Sequence, residues 1–138
     1  MSIQATFSKI KGRLNDMAEE AIEERLEDLA GYATRISPVD TGAYVTSFSI
    51  KRAGQGGGRS RSSKNKPKDQ NPEAKRAEAY GQLVQDIQAL NISDMIENGN
   101  VRITLSNRSP HARTVEDGGA GWRRGGYHVF TKVRNKFG

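Results

Sequence analysis

Asp40-Thr41-Gly42 is the stretch whose residue types point most directly to chemistry. An aspartic protease carries its catalytic carboxylate in that tripeptide. In a homodimer with one copy per chain, two such carboxylates share a proton. The arrangement needs the Asp at the tip of a tight loop fed by an apolar strand, within a β-rich body that carries a flap. Here the triplet lies in Ser37-Pro38-Val39-Asp40-Thr41-Gly42, directly behind a long helical pattern. A joint between a helix and a strand calls for the same residues with no catalysis attached. Asp40 accepts backbone N–H groups in an Asx turn or cap, Thr41 supports it, and Gly42 supplies the freedom to re-enter a strand. The turn is the expected reading, and Asp40 is assigned no catalytic role.

Other constellations offer less. The histidines, His111 and His128, are 17 residues apart, with Glu116 five residues beyond His111. This is no HExxH array or comparable ligand spacing, so no metal is expected. The Gly54–Gly58 run lacks the Lys-Ser/Thr of a phosphate loop and does not open a helix. With no cysteine there is neither a disulfide nor a thiolate ligand. No cofactor is expected.

Charge is more informative. The net charge is +6, and it is segregated. Asp16 to Asp28 holds seven acids and one base, Lys51 to Lys68 seven bases and no acid, and Trp122 to Gly138 five bases and no acid. Glu19, Glu20, Glu23, Glu24 and Glu27 repel one another at helical spacing by a few tenths of a kcal/mol per pair. A cationic surface on a neighbouring subunit would offset that, so these residues form a candidate inter-subunit face. Arg59, Arg61, Lys64, Lys66 and Lys68 lie on a glycine- and serine-rich segment without an interleaved aromatic. They are candidates for contacting phosphates or a partner protein without reading bases.

The elements that position these residues follow from periodicity. Phe7, Ile10, Leu14, Met17 and Ala21, then Ile22, Leu26, Leu29, Ala33 and Ile36, form a helix-period stripe. The stripe predicts a helix from Thr6 to Ile36, roughly 45 Å long. That exceeds the width of a compact domain of this size, so the helix bends near Gly12 or overhangs the domain toward a partner. Pro38 ends it. Tyr44, Thr46, Phe48 and Ile50 alternate with Val45, Ser47, Ser49 and Lys51, predicting a half-buried strand. Residues 53–72 lack apolar periodicity and are expected not to order themselves. A helix returns from Glu73 along Tyr80, Leu83, Val84, Ile87 and Leu90, with Pro72 at its start. Residues 91–97 fit neither pattern clearly. Val101, Ile103 and Leu105 predict a second strand. Phe130, Val133 and Phe137 favour a short C-terminal helix.

At 138 residues the chain is expected to be one domain, and with 34% hydrophobic residues its core is modest. The fold class expected is α+β: a long N-terminal helix and a second helix packed on a small antiparallel sheet of residues 44–51 and 101–106. No apolar run is long enough for a membrane span, and the N-terminus has no secretory h-region.

Two stretches, SPVDTGAYVTSFSI (37–50) and VRITLSNRSPHARTVEDGG (101–119), resemble the neck, or tail-completion, proteins of tailed bacteriophages. The matching residues are Pro38, Val39, Asp40, Thr41, Gly42, Asn107, Pro110, Ala112, Glu116 and Gly118. His111 stands where that family tends to carry Tyr, and the basic loop is longer than expected. The resemblance implies a non-enzymatic virion protein, found at the head–tail interface of the particle and in the host cytoplasm during assembly. It implies a homo-oligomeric ring that meets connector or head-closure proteins and tail-terminator or tail-tube proteins, with genomic DNA in the lumen and no membrane. The alternative is a basic, non-sequence-specific nucleic-acid-binding protein acting outside a virion.

Overall fold

The computed structural model describes residues 3–7, 18–64, 66–119 and 125–138. They form a mixed helix-and-strand fold with a small antiparallel sheet. Its strands are β1 (Ile3–Phe7), β2 (Phe48–Arg52) and β3 (Ile103–Asn107), in the order β1-β3-β2. The helices are α1 (Glu19–Arg35), α2 (Pro72–Gln88), α3 (Ile92–Glu97), α4 (Ala112–Asp117) and α5 (Val129–Phe137).

The helix expected from Thr6 to Ile36 is replaced by a strand and a shorter helix. Ile3, Ala5 and Phe7 alternate as core residues of β1, which pairs along β3 from Ile3↔Asn107 to Phe7↔Ile103. Phe7 is in phase with both a helical and a strand pattern, and burial against β3 resolves the ambiguity. Ile10, Leu14, Met17 and the expected bend at Gly12 lie outside the described residues. The 17 residues of α1 span about 25 Å. Ile22, Leu26, Leu29, Ala30 and Ala33 are buried on one side, against α2 and α5. Glu19 and Glu20 suit the positive end of the helix dipole and Arg35 the negative end.

The strand expected from Tyr44 begins four residues later. Val45–Ser47 instead forms a 3₁₀ turn. The Thr46 and Ser47 hydroxyls donate back to the carbonyls of Gly42 and Ala43, at 2.6 and 2.7 Å. Such local bonds compete with a strand ladder. The half-buried expectation fails as well, because every residue from Gly42 to Ile50 is buried. One sheet face presents Phe48, Ile50, Ile103 and Leu105 to the helices, and the other carries Ser49, Thr104 and Ser106 beneath the segment 53–64.

The remaining elements match their patterns more closely. α2 starts with Pro72 at its first position, and the Asn71 side chain accepts from the Ala74 N–H at 3.2 Å. Residues 91–97, ambiguous in sequence, turn through Asn91 at φ 55° into α3. The C-terminal stripe is helical, burying Val129, Phe130, Val133 and Phe137.

Candidate functional site

The SPVDTG segment is a joint between α1, α2 and β2. The Ser37 hydroxyl donates to the Ala33 carbonyl at 2.6 Å, closing the end of α1. The Ser37 carbonyl accepts two bonds from the Arg76 guanidinium of α2, at 3.0 and 3.2 Å. Thr41 Oγ1 accepts from the Ala43 N–H at 3.3 Å. Gly42 has φ 89°, which demands glycine, and a Cβ there would lie 2.7 Å from the Lys75 methylenes and push that side chain aside. Asp40 contributes its backbone carbonyl, which accepts from the Asp69 N–H, while its exposed carboxylate takes no hydrogen bond among the described residues. The expected Asx cap is thus not formed. Thr41 and Gly42 make the turn, and the Asp40 carboxylate is left to solvent rather than to the N–H groups that it was expected to cap.

The second motif lies against this joint. Asn107 is fully buried at the end of β3. Its Nδ2 donates to the Tyr44 carbonyl at 2.8 Å, and its Oδ1 accepts from the Ser109 N–H at 3.1 Å. Pro110 is exposed and Ala112 is buried at the start of α4. Glu116 is 3% exposed. Its carboxylate accepts from the Phe130 N–H (2.8 Å), the Thr131 N–H (3.0 Å) and the Thr131 hydroxyl (3.0 Å). Glu116 therefore caps α5 across the fold, where the residue at the local cap position, His128, makes no side-chain capping bond. The carboxylate also meets the favourable end of the α5 dipole. Gly118 has φ 96°, and a Cβ there would lie 2.8 Å from the Gly125–Gly126 backbone, which is why a side chain is excluded.

Tyr44 joins the two motifs from the core. Its ring packs edge-on against Phe48, which in turn contacts Phe130. Its hydroxyl is buried without a hydrogen-bond partner among the described residues. Burial, and secondarily the Glu116 charge, pushes this phenol well above its ordinary pKa.

The basic segment is ordered by the frame around it. Arg59 faces inward, contrary to its expected role as an outward contact. It makes a two-pronged pair with Asp86 of α2 at 2.7 and 2.9 Å and donates to the Phe48 carbonyl at 2.9 Å. Asp86 also accepts from the Ile50 N–H at 3.0 Å. Together Asp86 and Arg59 occupy polar groups on the free edge of β2, where another strand would otherwise add. The Arg59 and Arg61 N–H groups donate to Ser49 Oγ and Ser47 Oγ, both at 2.8 Å. With its amide turned so that Nε2 faces the Thr46 carbonyl, Gln82 bridges that carbonyl and Arg61 Nη1 at 3.1 and 3.0 Å. Ser63 bonds His111 Nε2 at 2.7 Å, occupying that exposed imidazole. Of the five candidate cations, Lys64, Lys66 and Lys68 remain exposed. Asp86 and the serines at 47 and 49 were missed in sequence. The only local signal was Ser-x-Ser ahead of a glycine run, which does not name what the serines bind.

The acidic row lies on α1 as the periodicity predicted. Glu19, Glu20 and Glu24 are exposed, and Glu23 and Glu27 are half-buried. Among the described residues no cation forms an ion pair with any of the five. Glu27 and Asp28 approach α2, where burial and then these two charges raise the Tyr80 phenol. Basic residues Lys132, Arg134 and Lys136 are exposed on α5. The described residues contain no cluster of three potential metal ligands and no helix long and apolar enough to cross a membrane. No family model, no curated protein and no solved structure matches the chain.

Proposed function

We propose that this chain is a structural protein of the phage neck, which forms a ring at the head–tail junction and joins or completes the tail on the DNA-filled head. The observation that carries the reading is charge segregation on a small frame. The α1 row of Glu19, Glu20, Glu23, Glu24 and Glu27 has no cation paired to it among the described residues, while every charged residue of α5 is cationic and exposed. Unlike faces on one chain suit a heterologous contact that repeats from copy to copy until a ring closes. Two of the residues that resemble the neck family also anchor the fold, Asn107 on Tyr44 and Glu116 on α5. On this reading the chain has no catalytic residue. It meets copies of itself, a connector or head-closure ring and a tail-terminator or tail-tube ring, in the virion neck.

The test is the oligomeric state of the purified chain, alone and with its connector and tail partners, by sedimentation and negative-stain imaging. Rings are expected in at least the mixed samples, and replacing Glu23 and Glu27 by lysine should abolish them. A chain that stays monomeric in every mixture overturns the reading. Particles assembled without it should appear as full heads beside detached tails.

A further inference from the structure

The sheet face turned away from the helices holds a site of different chemistry. Its residues Gln4, Ser49, Lys51, Thr104 and Ser106 are all polar or cationic. A cleft of about 90 Å³ opens there beside the turn that carries Gln55 and Gly57, with Lys51 and Arg108 among its lining. The two cationic head groups converge over Gly57. A Cβ at that glycine would stand 3.5 Å from Lys51 Nζ and 4.0 Å from Arg108 Nη1. No carboxylate lines the cleft, and neither cation has an acidic partner among the described residues. Among the described residues Lys51 reaches only the Gly56 carbonyl, at 3.3 Å.

Two like charges held this close without an acid repel each other, and an anion seated between them removes that cost. The other side chains offer hydrogen-bond donors: the amides of Gln4 and Gln55 and the hydroxyl of Ser106. The cleft is small and open to solvent, which suits a single tetrahedral oxyanion. Cations continue beyond the cleft. A neighbouring cleft of about 310 Å³ begins at Thr6, whose hydroxyl bonds Thr104, and is lined by Arg52 and Arg102. Arg52 is paired with Asp94 at 2.9 Å, whereas Arg102 is exposed. Lys64, Lys66 and Lys68 are exposed further along the segment that carries Gly57.

We propose that the Lys51–Arg108 cleft binds a phosphate group, and that the group is a phosphodiester of a nucleic-acid backbone. The row of further cations favours a repeating polyanion over a single free ion. The assignment rests on surface chemistry and is independent of the ring reading. It also moves the phosphate contact away from Arg59 and Arg61, which are engaged internally.

The experiment uses the full chain in two arms. Inorganic phosphate is titrated while the amide resonances of Gly57 and Ser106 are followed, and a short DNA duplex is titrated by fluorescence anisotropy over a range of salt. Phosphate should shift both resonances. The Lys51→Gln/Arg108→Gln double variant should weaken duplex binding at least tenfold at low salt and lower the salt slope by about one. A Lys64→Gln/Lys66→Gln/Lys68→Gln variant should keep the phosphate response. Unshifted resonances overturn the site. Shifted resonances with duplex affinity unchanged in the double variant overturn the nucleic-acid assignment.

Discussion

Two irregular segments are held by the same kind of bond and differ in where the acceptor sits. In residues 107–119 the side-chain acceptors belong to the segment. Asn107 takes the Ser109 N–H, and Glu116 takes the first N–H groups of α5. In residues 53–64 the acceptors belong to the frame. Ser47, Ser49 and Asp86 receive bonds from a segment that supplies N–H groups and the Arg59 side chain. The 107–119 segment therefore announces its anchors in its own sequence, as the Asn and Glu of a motif. The 53–64 segment has the composition of a solvated tether, because its anchors lie in the 3₁₀ turn, β2 and α2. Low local hydrophobicity is a sound argument against self-ordering, but it does not exclude order imposed by polar groups elsewhere.

The contrast is broken most strongly at Glu116. Replacing it with Ala removes the cap from α5 and leaves two N–H groups and a hydroxyl without their acceptor. A loss of about 3 kcal/mol is expected in chemical denaturation, with selective loss of amide protection at Phe130 and Thr131. A loss below about 1 kcal/mol would mean that the α5 terminus is satisfied in another way.

Asp86→Ala tests the frame-held segment. It removes the acceptor for Ile50 N–H and leaves the Arg59 guanidinium unpaired. Since the two side chains keep 18% and 24% exposure, solvent offsets part of the effect and about 2 kcal/mol is expected. The sharper readout is limited proteolysis, which should cut 53–64 faster while leaving 107–119 protected. Equal acceleration in both segments would show that they do not open independently.

Tyr44 lies where the motifs meet, and its prediction concerns alkali. A phenol whose pKa is raised by folding contributes stability below its unfolded value, near 10.0, and loses it as pH climbs beyond that toward the folded value. Stability should therefore fall above about pH 10. Tyr44→Phe should remove its share of that fall. At neutral pH it should be neutral or stabilising by up to about 1 kcal/mol, because it deletes a buried, unpartnered hydroxyl. The smallest effect is expected at Asp40. Its carboxylate is exposed and unbonded among the described residues, so Asp40→Asn should stay within about 0.5 kcal/mol in thermal melts. A larger loss would revive the capping role that its place in the turn first suggested.

Much of the frame was legible before the structure. The stripe from Ile22 to Ala33, the proline start of α2 and the C-terminal Phe130–Val133–Phe137 spacing state their own burial, because an amphipathic helix repeats one instruction over several turns. Pro38 and Gly42 likewise announce a helix end and a turn, through a missing donor and a missing Cβ. β1 was not legible, since five residues are too few to separate two periods that share Phe7.

Periodicity, backbone-restricting residues and charge order are properties of neighbours in the chain. They suffice for the stripes of α1, α2 and α5, for the breakers and for the acidic and basic segments of this protein. Whether a polar residue faces water or a partner depends on residues far away in sequence. Tertiary folding turned Arg59 inward onto Asp86, placed Glu116 under α5 and brought Lys51 beside Arg108. In the first two cases the deciding quantity is the cost of leaving a buried donor, acceptor or charge unmatched, and only the folded geometry brings those partners together.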